Sequence, residues 1–447
     1  MTQTDGHIDR RQFALALAAV PLSLSAVARA ARAAAKARVV IVGGGPAGAT
    51  VAVTLKRASP DLDVTLIEPQ TQYTSCFYSN HFIGGFMPIT RITNTYDGLT
   101  ALGINVVHAH VTGFDPAKRE VAIEKGANVP YDRLVVAPGI GFKYGAIEGY
   151  SEAASYFMPH AWSGGRQSKL LRERLDDMED GGLVVIAAPR NPYRCPPGPY
   201  ERACLIANYL QREKPKSKLV ILDPKMAFSK QAVFEEAFAK YYKGVIELRL
   251  TNDIDDMSVV RVDPKTGEVV TKSGETFKAA VANIIPDQTA GVIALSSGLA
   301  EGDWCPIVPE TFRSAKMDNV YVVGDATIAN DMPKSAFSAS NQARAVAGQI
   351  LADLTGAERP PAAYRNTCWS MLTPGDSVKI GADYAPGDAK GKHILVAKDP
   401  FISKPGETAE LRKENYEESL AWYETLTADM FAKTASATGK HPHAGRG

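Results

Sequence analysis

Five cysteines, at positions 76, 195, 204, 305 and 368 of 447 residues, offer the most reactive chemistry in the sequence. Two fall in RCPPGPYERAC, residues 194–204, where Pro196, Pro197 and Pro199 restrict the backbone around Cys195. A thiol held in so stiff a turn is presented for reaction at little further entropic cost. The stretch follows the apolar run Leu183 to Ala187 and opens a helical pattern. That order places Cys195 at the carboxyl edge of a sheet, where α/β proteins bind ligands. Cys204, on the helix, reads as a buried inert thiol, and a local Cys195–Cys204 bridge is the competing reading. Glu201 is either a first-turn carboxylate that suits the helix dipole or, if burial raises its pKa, a proton acceptor. Cys305, in DWCPIVP, has no functional account.

The cofactor is legible upstream. RVVIVGGGPAGATVAVTLKRASPDLDVTLIEP gives a buried strand, glycines 43, 45 and 48, a helix, and a second strand ending in Glu68. Gly43 permits the tight turn, Gly45 the approach of backbone to a pyrophosphate, and Gly48 the packing of helix on strand; Glu68 stands where a carboxylate binds ribose hydroxyls. Downstream, DNVYVVGDATIANDMPKSAFSASNQARAVAGQI predicts a strand ending in Gly324 and Asp325, a loop with Lys334, and a helix starting near Ser335. In two-dinucleotide-domain flavoproteins this pattern sets the aspartate on the ribityl chain of FAD and aims a helix N-terminus at the flavin. LVVAPGI, residues 134–140, fits the exit from an FAD domain. Cys76, in QYTSCFYSNHFIGG, then lies in the loop that passes the dimethylbenzene edge, where a thiolate can bond the 8α carbon. No metal site is expected.

A second α/β unit, GGLVVIAAPRNPYRCPPGPYERACLIANYL and then KLVILDP, carries prolines and Cys195 where a nicotinamide-binding unit carries glycines. The electron donor is therefore expected not to be NAD(P)H. These elements give an α/β fold: a glutathione reductase-like pair of Rossmann-like dinucleotide-binding domains and a small α+β C-terminal domain. The FAD domain is expected over residues 37–145 and 286–350, the second unit over 146–285, the C-terminal domain over 351–433, and a disordered tail over 434–447. Cys368, in YRNTCWSML, belongs to that C-terminal segment and can return over the active site.

Residues 1–30 read as a twin-arginine export signal, with Arg10 and Arg11, an apolar run from Phe13 to Val27, and small residues at Ala28 and Ala30. The run is short for a transmembrane helix, and no later segment is expected to span a membrane. A periplasmic protein, exported already folded with its cofactor, is the expectation. With 50 basic and 49 acidic residues the chain has no field for a phosphate backbone, which argues against nucleic acid.

TSCFYSN, RCPPGPYERA, VVGDA, MPKSAFSASNQA and NTCWS, in that order behind an export signal, resemble the flavoprotein subunit of flavocytochrome c sulfide dehydrogenase. The resemblance spans nearly the whole mature chain. It implies covalent FAD on Cys76, a redox-active Cys195–Cys368 disulfide over the flavin, sulfide as substrate, and a cytochrome c subunit as electron acceptor. It further implies that Cys368 faces the flavin and Cys195 takes the incoming sulfur. PAG in place of a more usual TGG in the glycine loop and the additional Cys204 are departures that remove no residue this chemistry needs. A sulfide:quinone oxidoreductase and a non-enzymatic sulfur-oxidation partner or persulfide carrier are the alternatives. Against the first, ESLAWYETLTADMFAK mixes charges through its apolar positions instead of forming a membrane element.

Overall fold

A computed structural model describes residues 37–252, 256–389 and 391–433. Residues 1–30, expected to be an export signal, and the tail expected over 434–447 lie outside the described residues. The strand Arg38–Val42 is the centre of a five-stranded parallel sheet, in the order Val320–Val322, Arg133–Val136, Arg38–Val42, Asp63–Ile67, Asn105–Val107. Its apolar run from Val39 to Val42 follows from burial on both faces. Val39 and Ile41 pack under the helices Pro46–Ala58 and Ala336–Thr355, while Val40 and Val42 join Leu134, Val136 and Val322 on the other side.

The second unit repeats this logic with a four-stranded parallel sheet, ordered Ile246–Leu250, Lys218–Asp223, Leu183–Ala187, Val281–Ile284. Val184 and Ile186 face the helix Gly198–Glu213, and Val185 and Ala187 the opposite layer. Between the two units the chain crosses twice, and its crossings pair as the antiparallel strands Ile140–Phe142 and Gln288–Ala290. Val320–Val322 can therefore complete the first sheet although the whole second unit precedes it in sequence.

The last portion is an antiparallel sheet of Tyr364–Thr373, Asp376–Ala389 and Lys392–Ile402, followed by the helix Ala409–Met430. Leu426 and Met430 of that helix bury in the core of the first unit, and Thr408 caps its start by accepting from the Leu411 N–H. The architecture is the expected one: two Rossmann-like units and a small α+β C-terminal domain. No helix among the described residues is long and apolar enough to cross a membrane.

Candidate functional site

The glycine turn forces the first strand and helix together. A Cβ on Gly48 would lie 1.8 Å from the Gly43 carbonyl oxygen, so only glycine allows this contact. Gly45 caps the helix Pro46–Ala58 without a side-chain hydrogen bond, leaving its first amides for an anion. Glu68 follows the second strand and lies against the turn, accepting from the Gly44 N–H at 2.8 Å and the Gln70 N–H at 3.0 Å.

At the other end of the groove, Gly324 and Asp325 follow the strand Val320–Val322. The Asp325 carboxylate is buried; one oxygen is 3.6 Å from Arg194, the other, Oδ1, has no partner, and burial pushes its pKa up. A buried carboxylate oxygen without a donor calls for one, and a ribityl hydroxyl would supply it. Ser335 caps the helix Ala336–Thr355 by accepting from the Ser338 N–H at 3.0 Å. Lys334 turns its ammonium to the carbonyls of Asp325 and Thr327, at 2.9 and 2.6 Å, and over the Trp304 ring. It braces the loop that carries Asp325. Open helix amides, an acid at the second strand's end and an orphaned aspartate oxygen fit FAD.

A cleft joins these elements, and its lining includes Cys76, Arg194, Cys195, Glu201, Asp325 and Cys368. Cys195 sits in the left-handed region, φ 58°, with its N–H donating to the Lys334 carbonyl at 2.8 Å. A Cβ on Gly198 would come 2.7 Å from the Trp162 ring and 3.0 Å from Cys195 Sγ, so glycine opens the helix where the thiol needs room. Cys368 lies on the strand Tyr364–Thr373 and lines the same cleft as Cys195, near enough for each thiol to shift the other's titration. Interaction with Cys195 and the positive charge of Lys230 hold the Cys368 thiol below its ordinary range, whereas interaction with Cys368 and burial push Cys195 up. Cys76 Sγ donates to the Trp162 carbonyl at 3.1 Å and receives the Arg194 guanidinium at 3.2 Å.

Glu201 binds two neighbours. Its Oε2 accepts from Asn80 Nδ2 at 2.7 Å and its Oε1 from the Met371 N–H at 2.8 Å. Cys204 is fully buried in the core of the second unit, and burial raises its thiol well above the usual range. Cys305 is buried as well and pushed up to about 11.

Several residues of the site gave no signal in sequence. Arg194 adjoins Cys195 in the quoted motif, but only the fold turns its side chain to Cys76 and Asp325. Arg202, 1% exposed, donates to Asn80, Asn283 and the carbonyls of His160 and Ala161 beneath the Trp162 ring. Asp223 ends the second strand of the second unit, where a nucleotide-binding unit keeps an acid for ribose. Here it accepts from Tyr200 Oη and pairs with Lys225 Nζ at 2.6 Å, and Tyr200 stacks on Phe228 with centroids 3.6 Å apart.

Family models match the chain in three blocks. The pyridine nucleotide-disulphide oxidoreductase model covers residues 37–174. The central part of the sulfide dehydrogenase (flavocytochrome c) flavoprotein chain covers 168–286, and the flavocytochrome c sulphide dehydrogenase flavin-binding model covers 360–431. The chain belongs to the flavocytochrome c sulfide dehydrogenase flavoprotein family. It is 49% identical to the sulfide dehydrogenase (flavocytochrome c) flavoprotein chain of Chlorobaculum thiosulfatiphilum over 43 residues, 10% of this chain and 90% of that sequence. It is also 22% identical to the mitochondrial sulfide:quinone oxidoreductase of Mus musculus over 304 residues, spanning 65% of each. Among solved structures, the sulfide:quinone oxidoreductase of Aquifex aeolicus superposes with a TM-score of 0.65 at 20% identity, over 90% of this chain and 96% of that one. This last likeness is one of fold. The flavoprotein-family blocks coincide with the elements that carry Cys195 and Cys368, and the oxidoreductase block with those that carry Gly43, Gly45, Gly48, Glu68 and Cys76.

Proposed function

We propose that this flavoprotein oxidises sulfide at a Cys195–Cys368 pair, carries FAD bonded to Cys76, and delivers electrons to a cytochrome c partner chain in the periplasm. The observation that carries the reading is the convergence of Cys195, Cys368, Cys76 and Asp325 on one cleft. Bound FAD supplies a carrier that takes two electrons together and releases them singly.

The residues of the chain account for the rest. With the pair oxidised, hydrosulfide attacks Cys195 Sγ, the S–S bond breaks, and its electron pair remains on Cys368 as thiolate. The incoming sulfur stays on Cys195 as a persulfide, and its proton passes to Glu201, whose carboxylate lies in the same cleft. The direction of the two thiol shifts favours this division, because Cys368 is the easier of the two to leave ionised. The reading places the haem on a partner chain, and it is supported by the lack of a C-x-x-C-H attachment motif in these 447 residues. The periplasmic location rests on Arg10, Arg11 and the short apolar run after them.

The kinship with sulfide:quinone oxidoreductases supports a second reading in which a quinone takes the electrons. Anaerobic oxidation of sulfide by the purified protein, with cytochrome c, a soluble quinone and NAD⁺ offered separately, decides between them. Turnover with cytochrome c is the expected result. Turnover with the quinone alone would replace the acceptor, and no sulfide-driven bleaching of the flavin would overturn the reading.

A further inference from the structure

Lys230 is a buried cation that reaches from the second unit to the strand that carries Cys368. It is 3% exposed and sits in the left-handed region, φ 62°, at the start of the helix Gln231–Tyr241. From there its ammonium reaches the Cys368 carbonyl at 3.1 Å and Ser370 Oγ at 2.7 Å, on the strand Tyr364–Thr373. A carbonyl and a hydroxyl are satisfied by any neutral donor, so hydrogen bonding alone does not account for an ammonium taken out of water at this cost. Burial pulls the Lys230 pKa down, and the acidic groups nearest it, Cys368 and then Glu201, act the other way and compensate the buried charge.

We propose that Lys230 is a positioning residue whose charge stabilises the Cys368 thiolate, and so raises the reduction potential of the Cys195–Cys368 pair. The inference rests on the proposed redox role of that pair. The groups facing Cys368 are Cys195 from the turn before the helix Gly198–Glu213, Glu201 from that helix, Tyr384 from the neighbouring strand, and Lys230. Lys230 is the cation among them and opposes the negative Glu201. Reduction takes two electrons into the S–S bond and gives two sulfurs. With Lys230 charged, one of them, Cys368, stays a thiolate while Cys195 takes a proton from solvent. Without it, the reduced pair must bind a second proton or bear an uncompensated buried anion, and the disulfide is favoured.

The test uses holoprotein as purified, equilibrated anaerobically against oxidised and reduced dithiothreitol, then acid-quenched, alkylated and weighed as peptides. Lys230→Met should hold the disulfide about tenfold more strongly than the unaltered protein, a potential about 30 mV lower. The number of protons taken up on reduction near pH 7 should rise from about one towards two, which loss of packing alone would not produce. Ser370→Ala, which keeps the charge and loses one hydrogen bond, should leave that proton number unchanged. Equal potentials and equal proton numbers in Lys230→Met and the unaltered protein would overturn the inference. Failure of the unaltered protein to form a Cys195–Cys368 disulfide would instead overturn the reading on which it rests. If Lys230→Met does not fold, Lys230→Gln replaces it, with the same two outcomes.

Discussion

Glu201 accepts a hydrogen bond from the Met371 N–H at 2.8 Å, so the helix opened by Cys195 also holds the strand that carries Cys368. The two cysteines come from units far apart in sequence, and one carboxylate ties their supports together. Its other oxygen holds Asn80, whose own Oδ1 accepts from the buried Arg202. Glu201 therefore has a structural duty besides any proton it takes.

The two duties separate by substitution. Glu201→Gln keeps an acceptor for the Met371 N–H and loses the base, so thermal stability should fall little while sulfide-driven bleaching slows by about 10²-fold. Glu201→Ala leaves the Met371 N–H unpaired and should also cost about 1–3 kcal/mol of stability. Stopped-flow bleaching and denaturant unfolding of both variants check this, and bleaching at the unaltered rate in Glu201→Gln would remove the base from the reading.

The flavin link is expected at Cys76. Acid-precipitated protein should remain yellow, and Cys76→Ser should release its FAD into the supernatant. Binding should survive in the variant because the Gly45 helix end, Glu68 and Asp325 are untouched. Colour lost from the unaltered protein on precipitation would refute the covalent bond.

Cys195→Ser and Cys368→Ser should each abolish sulfide turnover with FAD still bound. Cys204→Ala should turn over sulfide nearly as the unaltered protein does, because Cys204 lies in the apolar core of the second unit. Steady-state rates of the three variants suffice, and an active Cys368→Ser would contradict the proposed exchange.

The reduced pair should titrate unequally. A lowered thiol is ionised over more of the pH range and a raised one over less, so Cys368 should alkylate with iodoacetamide below the ordinary thiol range, near 8.5, and Cys195 only above it. Peptide masses after timed alkylation from pH 5 to 10 give both profiles. Faster reaction at Cys195 at neutral pH would reverse the assignment of roles.

NADH and NADPH should not bleach the flavin in the time sulfide does. Asp223 is engaged by Tyr200 and Lys225, and the stacked Tyr200 and Phe228 occupy the carboxyl edge where a nicotinamide dinucleotide would lie. Rapid bleaching by NADH would show that these side chains yield to a nucleotide.

Much of this protein is determined by local sequence. The strand Arg38–Val42, the glycine turn, Glu68 and the Ser335 cap follow from patterns within a few residues, because tight turns, helix starts and doubly buried strands each restrict residue type on the spot. The prolines and Cys195 after Leu183 likewise mark the loss of a nucleotide fingerprint without any structure. What the sequence leaves undetermined is which way long side chains turn and what they meet. Arg194, Arg202 and Lys230 are ordinary basic residues on paper, and only packing between units brings them to Cys76, Asn80 and the Cys368 strand. Glu201 fits a helix dipole equally well in isolation; its grip on Met371 exists because the C-terminal sheet folds back over the second unit. The physical reason is range: backbone preferences act over a few residues, whereas the pairing of buried charges with distant partners is set by burial itself, which only the assembled tertiary structure imposes.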